Sequence, residues 1–272
     1  MADDDIDKPS DWYGDLFAGL AAVDTTFDPV RATERARANV RRVLPKRFYS
    51  EVRAESAGDA FRLTLDGKPV LTPARKAVEV PDMRIACAIE AEWANQEEFI
   101  DPATMPLTRL VNAAIDGVAG EMGAVKTEIA RFAMSDLLFY RAEGPDRLVA
   151  RQKTHWDPIV AWAEKRFGVP LRHTVGVVHV DQDPALPAAV EAALPDRPLA
   201  LAAMHTVTSV TGSALIALAV AERFLDPDAG WTAAYIDEDW NAELWGMDDE
   251  AVERRAFRRS EYDAALVALG LR

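Results

Sequence analysis

The 272-residue chain has few of the residues that cross-link proteins or bind metals. It contains one cysteine, Cys87, which excludes an internal disulfide and predicts a reducing compartment. The four histidines are not placed at metal-ligand spacing on a single element, so the sequence predicts no bound metal and no other cofactor. These histidines are His155, His173, His179 and His205.

Long apolar runs are also absent. The longest stretch without charged or strongly polar side chains is Ala214–Ala221, well short of the ~20 apolar residues that span a bilayer. We therefore expect no membrane insertion. The first residues, MADDDIDKPSDW, have neither the apolar core of a secretory signal nor the arginine-rich character of a transit peptide. Together with the preference for arginine over lysine, this predicts a protein of the bacterial cytoplasm.

The common catalytic signatures are missing as well. No Walker A loop is present to hold ATP phosphates, and no G-x-S-x-G motif accompanies the serines. Glycines recur at 117, 120 and 123, but this spacing is not a dinucleotide-binding fingerprint. The sequence thus gives no support to the common ATPase, serine hydrolase or dinucleotide-dependent classes.

The charge is strongly negative and unevenly distributed. With 45 acidic and 31 basic residues the net charge is −14, the opposite of what nucleic-acid binding requires. Residues 1–28 contain eight Asp and one Lys, whereas residues 31–47 are basic. We predict an acidic tail over residues 1–28, an N-terminal domain with a basic lead-in over 29–104, and a C-terminal domain over 105–272.

Hydrophobic periodicity changes between the two predicted domains. Phe61, Leu63 and Leu65 alternate with polar residues, which is typical of a half-buried strand, and Asp66-Gly67 then predicts a tight turn. We expect three or four antiparallel strands between residues 48 and 80. Later segments have helical spacing, including predicted helices over 213–225, 229–245 and 249–269. The predicted class is α+β, with a small N-terminal α+β domain followed by an all-α orthogonal helical domain.

Individual residues in the predicted helices give further expectations. Cys87 lies two residues from both Ile85 and Ile89, and we expect it to be a buried residue of that helix. Asp82 and Ser213 are each expected to cap the helix that follows. Asp157-Pro158 is expected to kink or restart a helix that Gly168 ends. The basic cluster at residues 254–259 is expected to form ion pairs such as Glu250–Arg254 rather than to bind phosphate.

An acidic segment near the C-terminus is the main candidate for a functional site. Residues 237–250 contain seven acidic and no basic residues, together with two tryptophans. Three interpretations are possible: a metal-dependent hydrolase using the carboxylates, a solvated helix face, or a protein-binding surface. The candidate residues are Asp237, Glu238, Trp240, Glu243 and Trp245.

Several segments resemble one family. They are residues 47–49 (RFY), 65–70 (LDGKPV), 101–116 (DPATMPLTRLVNAAID), 135–145 (SDLLFYRAEGP), 156–158 (WDP), 211–213 (TGS) and 237–246 (DEDWNAELWG). They look like the assembly chaperone that binds the alpha subunit of F1-ATPase, the catalytic head of ATP synthase. The resemblance runs from about residue 45 to 265, so the first 44 residues lie outside it.

The resemblance implies a bacterial member of a mitochondrial-type assembly factor that is not an enzyme. It implies that the partner is the F1 alpha subunit, with no nucleic acid, and we expect a monomer. The contact region would be residues 237–246, with Glu238 and Glu243 supplying charge and Trp240 and Trp245 supplying area. Arg109 is a second candidate contact. The competing interpretation is structural, with the tryptophans in the core and Arg109 holding the domains together through a buried carboxylate.

Overall fold

A computed structural model describes residues 44–272 of the chain. The chain divides into two compact units, one ending at Gly117 and the other running from Val118 to Arg272. This boundary lies 13 residues after the predicted one at residue 104, because the helix that begins at Pro106 belongs to the first unit. The predicted acidic tail and most of the basic lead-in lie outside the described residues.

The N-terminal unit contains a four-stranded antiparallel sheet. Its strands are β1 (Val52–Ala57), β2 (Ala60–Leu65), β3 (Lys68–Pro69) and β4 (Glu79–Val80). β2 is central, because it pairs with each of the other three strands. Leu63 and Leu65 are buried, as their alternation with polar residues predicts. The predicted sheet is confirmed.

The turn between β2 and β3 is formed by Asp66 and Gly67, with φ angles of 47° and 78°. Both angles lie in the left-handed region that Gly and Asp tolerate. The Asp66 carboxylate also accepts hydrogen bonds from the backbone N–H groups of Glu51, at 2.8 Å, and Ser50, at 3.1 Å. These bonds lower the pKa of Asp66 below its ordinary value, and the bond from Glu51 has the largest effect. The turn therefore also fixes the chain that leads into β1.

Two helices complete the N-terminal unit: α1 (Met83–Ala94) and α2 (Pro106–Asp116). Asp82 caps α1, as the sequence predicts. α2 has no side-chain cap of its own; instead the Glu92 carboxylate accepts hydrogen bonds from the N–H groups of Leu107, at 2.7 Å, and Thr108, at 2.8 Å. These bonds satisfy two N–H groups that a helix start leaves unpaired, and the negative charge suits that end of the helix.

The C-terminal unit is mostly helical, which confirms the predicted α+β class. Its helices are α3 (Met122–Met134), α4 (Asp146–Phe167), α5 (Leu186–Ala193), α6 (Pro198–Thr211), α7 (Ala214–Ala221), α8 (Pro227–Ala234), α9 (Ile236–Trp245) and α10 (Asp249–Ala268). β5 (Tyr140–Arg141) and β6 (Thr174–Val175) form a two-stranded parallel sheet. Short 3₁₀ turns lie at Val118–Gly120 and Leu137–Phe139 in this unit, and at Pro102–Thr104 in the N-terminal unit.

The central helix of this unit is α7, whose residues 214–220 are all buried. It packs against α3, α4, α6 and α8, which is how a short helix that is apolar on every side is accommodated in water. The Ser213 hydroxyl accepts a hydrogen bond from Ile216 N–H at 2.9 Å, so the predicted cap is confirmed. Within residues 44–272, no helix has both the length and the apolar character needed to cross a membrane.

A buried carboxylate, Asp136, also supports the start of α7. It accepts hydrogen bonds from the N–H of Leu215, at 3.0 Å, and the N–H of Leu138, at 3.1 Å. Asp136 has no exposed surface, and burial raises its pKa to about 6 against the opposing effect of these hydrogen bonds. Asp136 thereby ties the segment before β5 to the core helix.

Two predicted helix boundaries differ from the structure. α4 runs through Pro158 as one helix to Phe167, with Gly168 in the left-handed conformation at its end, and does not restart at the proline. The helix predicted over 229–245 is wrong, because α8 ends at Ala234 and α9 begins at Ile236. Tyr235 lies between them, buried and stacked on Trp231 with ring centroids 4.1 Å apart. The Tyr235 hydroxyl also donates to the carbonyl of Val210 of α6 at 3.1 Å, a tertiary contact that fixes the residue at this break.

The prediction that Cys87 is buried is wrong, because its side chain is exposed. Ile85 and Ile89 are buried on the inner face of α1. A residue two positions from each of them is rotated by about 200° around the helix axis, which places it on the opposite face.

The exposure of Cys87 predicts the thiol reactivity of the folded protein. Since the sequence contains no other cysteine, one thiol per chain should react with Ellman's reagent at mildly alkaline pH without denaturant. The rate should be close to that of the same protein in urea. A thiol that reacts only after urea is added would contradict its exposed position.

Candidate functional site

The acidic segment predicted to be functional forms α9 and the turn into α10. Ile236 is fully buried and anchors the start of α9, which packs against α4. Asp237 accepts a hydrogen bond from Gln152 of α4 at 2.8 Å, which fixes the first turn. α9 ends at Gly246, whose φ of 74° favours glycine, and Asp248 then caps α10 by accepting from Ala251 N–H at 2.7 Å.

The end of α9 and the beginning of α10 expose several large apolar side chains. Trp245 is the most prominent, with 85% of its surface exposed, whereas Trp240 is only half-buried in the same helix. We call the following residues the α9–α10 patch: Leu244, Trp245, Met247, Val252 and Phe257. Exposed apolar residues so close together in sequence are typical of a surface that binds another molecule. The core position considered for Trp245 from the sequence is therefore wrong.

A groove of about 350 Å³ lies between α9 and α10 and contains part of this patch. It is lined by Glu238, Asn241, Ala242, Trp245, Gly246, Met247, Asp248, Ala251, Arg254, Arg255 and Arg258. Trp245 and Met247 thus share the lining of the groove with three arginine side chains. Such a lining combines apolar area with charges that orient a partner.

The acidic side chains of α9 are paired with different basic residues. Glu243 contacts Arg151 at 2.6 Å, Asp239 contacts Arg255 at 2.6 Å, and Glu238 contacts Arg258 at 3.4 Å. Among the described residues, no three Asp, Glu, His or Cys side chains lie close enough to hold a metal ion. The donor arrangement of the 237–250 cluster therefore gives no support to the metal-dependent hydrolase considered above.

The arginines of α10 are engaged in the same ion-pair network. Arg254 pairs with Glu250 at 2.6 Å, which confirms the predicted intrahelical pair. Arg259 contacts both Asp228, at 2.5 Å, and Asp263, at 2.9 Å. Because each charge has an opposite neighbour, this helix is not a free cationic surface of the kind that binds phosphate backbones.

Arg109, the second predicted contact residue, lies in the N-terminal unit rather than on this surface. It is 8% exposed, and its guanidinium donates to the carbonyl of Pro102. The charge of Arg109 also counteracts the burial that raises the pKa of Glu92. These contacts favour a structural role for Arg109 within α2 and its capping residue.

Sequence reasoning identified the tryptophans and carboxylates but missed part of the surface. Leu244, Met247, Val252 and Phe257 were not singled out, and neither was Arg151 as the partner of Glu243. A signal was present, because these apolar residues occur within an otherwise charged stretch and do not share one helical stripe. The bend at Gly246 places the end of α9 next to the beginning of α10, and the sequence pattern does not show this bend.

Comparison with known proteins places this fold among chaperones. A family model described as ATP12 chaperone protein matches residues 46–164. The mitochondrial protein atp12 of Schizosaccharomyces pombe is 29% identical over 140 residues. That match covers 48% of the chain and 48% of the yeast protein, so the chain spans about half the length of this curated relative.

Two crystal structures are similar over much more of the chain. Atp12 from Paracoccus denitrificans has a TM-score of 0.74 and 34% identity, covering 84% of this chain and 99% of that one. The Atu1473 protein of Agrobacterium tumefaciens has a TM-score of 0.80 and 44% identity, covering 95% of each chain. The class of protein defined by these matches is a chaperone. The chain belongs to the ATP12 chaperone family.

Proposed function

We propose that this chain is an ATP-independent chaperone that binds the free F1 alpha subunit and prevents its aggregation during assembly of the ATP synthase head. The observation that carries the proposal is the 85% exposure of Trp245 at the edge of the α9–α10 groove. Tryptophan provides a large apolar area and is enriched at binding hot spots. Membership of the ATP12 chaperone family and the motif resemblance described above support this client.

The physical basis of the activity is reversible coverage of an apolar surface. A subunit that awaits its neighbours exposes an interface that is buried in the finished assembly, and such patches promote aggregation. Binding to the folded subunit alone stabilises it by about 2.7 kcal/mol when the chaperone is present at 100 times its Kd. The beta subunit would then displace the chaperone by competing for the same surface with a larger interface. This cycle requires no ATP hydrolysis.

The candidate residues divide into contacts and supports. Trp245 supplies apolar area, and Glu238 and Glu243 supply charge, since both side chains are 57% exposed. Their surface ion pairs are each worth about 0–1 kcal/mol, so exchange for a basic group on the client costs little. Asp237 and Trp240 are partly buried, and Asp237 holds the first turn of α9 through its hydrogen bond with Gln152. Arg109 would act only through the structure of its own unit.

The proposal also covers the molecular context. We propose that the chain acts as a monomer in the bacterial cytoplasm, without catalytic turnover and without a nucleic-acid partner. The similar proteins from Agrobacterium and Paracoccus support a bacterial origin for the chain. The acidic net charge of −14 supports a protein client with basic groups over a nucleic acid.

The decisive test is co-expression with F1 alpha and F1 beta separately, followed by size exclusion and measurement of the Kd. Alpha should become soluble in a stable complex, and beta should not. Trp245→Ser should raise the Kd for alpha at least about 30-fold, as expected for loss of a hot-spot residue.

Met83→Ser provides the matched control, because Met83 is an exposed apolar residue of α1 outside the α9–α10 patch. It should leave the Kd unchanged. Binding of beta alone, or of neither subunit, would show that the client is wrongly assigned. A Trp245→Ser protein that binds like the wild type would instead show that the patch is not the contact.

A further inference from the structure

The loop between β6 and α5 has a fixed base and an apolar tip. The buried side chain of Gln182, near the end of this loop, bonds to Arg172, which lies just before β6. It accepts a hydrogen bond from the N–H of Arg172, at 3.0 Å, and donates to the Arg172 carbonyl, at 2.7 Å. These are the two bonds that a paired strand residue would make with Arg172. At the tip, Val177 is 93% exposed and Val178 is 71% exposed.

The backbone of this loop continues from a sheet edge that is open in the described structure. β6 pairs with β5, and the N–H of Gly176 donates to the carbonyl of Arg141 at 2.8 Å. Beyond Gly176, the N–H groups of Val177 and Val178 make no backbone hydrogen bond within residues 44–272. Unpaired backbone groups next to β-branched apolar side chains form a template to which another strand can be added.

The loop is connected to the first turn of α9, the helix that carries Trp245 at its other end, through Gln152 of α4. The side-chain oxygen of Gln152 accepts from the N–H of Ala142, the residue after β5, at 2.8 Å. Its side-chain nitrogen donates to Asp237 of α9 at 2.8 Å. Three hydrogen bonds therefore lead from Gly176 to the first turn of α9. The loop and the α9–α10 patch thus belong to the same unit of the chain, and β5, α4 and α9 join them.

We propose that residues 176–180 form a second contact for the client of the α9–α10 patch and accept an extended apolar segment of that client as an added β-strand. The identity of the client rests on the proposed function. Main-chain hydrogen bonds supply affinity in this mode of recognition, and the exposed valines select apolar side chains on the added strand. The fixed base means that little ordering is required when the client binds.

The test uses the full chain, purified F1 alpha subunit and measured Kd values. Val178→Pro removes a backbone donor that the fold itself does not use, and should raise the Kd at least about tenfold. Val178→Thr keeps that donor and the β-branched shape, and should stay within about twofold of the wild type. The double variant Val177→Asp/Val178→Asp should also lose at least about tenfold in affinity.

Met83→Asp is the control for added charge, because it places one aspartate, where the double variant places two, at another exposed apolar position, in the first turn of a helix where a carboxylate is favourable. If both loop variants bind like the wild type while Trp245→Ser does not, the loop assignment is overturned and the proposed function stands. If only the double aspartate variant is weakened, strand addition is overturned. If the wild type itself does not bind alpha, both proposals fail.

Discussion

Gly230→Ala is expected to lower the free energy of unfolding by about 2 kcal/mol, although alanine favours a helix over glycine by about 1 kcal/mol. A Cβ at this position of α8 would lie 2.7 Å from a methyl group of Val220 and 2.9 Å from the Tyr262 hydroxyl. Val220 is buried in α7, and the Tyr262 hydroxyl donates to the carbonyl of Pro227 at 2.8 Å. Neither group has room to move away, so the helices must separate.

Gly123→Ala in α3 provides the opposite case. A Cβ there meets no atom within 4 Å, so only the gain in helix propensity remains. We expect this variant to be more stable than the wild type by up to about 1 kcal/mol. Urea unfolding followed by circular dichroism measures both variants. Equal shifts of the same sign would show that close packing at Gly230 is not the cause.

Asp136 is expected to produce a large pH dependence of stability. Burial raises its folded pKa to about 6 from the ordinary value of 3.8, so the folded state binds the proton more tightly than the unfolded state. The stabilisation associated with this group is therefore fully present below about pH 4 and is lost as the pH rises through 6. A difference of about two pKa units corresponds to about 3 kcal/mol.

Asp136→Asn isolates this effect, because asparagine has nearly the same shape and does not titrate. The free energy of unfolding of the wild type minus that of Asp136→Asn should fall by about 2 kcal/mol between pH 4 and pH 7. Urea titrations of both proteins at four or five pH values give this difference directly. A difference that stays constant over this range would show that burial does not raise the pKa of Asp136.

Features with local causes could be predicted from the sequence. The alternation in β2, the Asp66-Gly67 turn and the caps at Asp82 and Ser213 depend on neighbouring residues, and the structure confirms them. The Glu250–Arg254 pair is likewise one turn of a helix. The α+β class followed from the change in hydrophobic period between the two parts of the chain.

Features that depend on contacts between distant parts of the chain could not be predicted from the sequence. Tyr235, at the break between α8 and α9, is held by a hydrogen bond to the carbonyl of Val210, 25 residues away, and the burial of Asp136 depends on the N-terminus of α7, 79 residues away. The sequence also did not distinguish Trp245 from Trp240. Both lie among acidic residues, but Trp240 is in the body of α9 whereas Trp245 is its last residue, beside the bend at Gly246.

The exposed Trp245 has a colloidal consequence. A protein that presents tryptophan, leucine and phenylalanine side chains to water risks associating with its own copies through that surface. A net charge of −14 opposes this, because like-charged molecules repel over about one Debye length, roughly 10 Å at 0.1 M salt. The same negative charge that disfavours nucleic-acid binding thus opposes self-association of the chain. The α9–α10 patch therefore stays available to a partner of complementary charge.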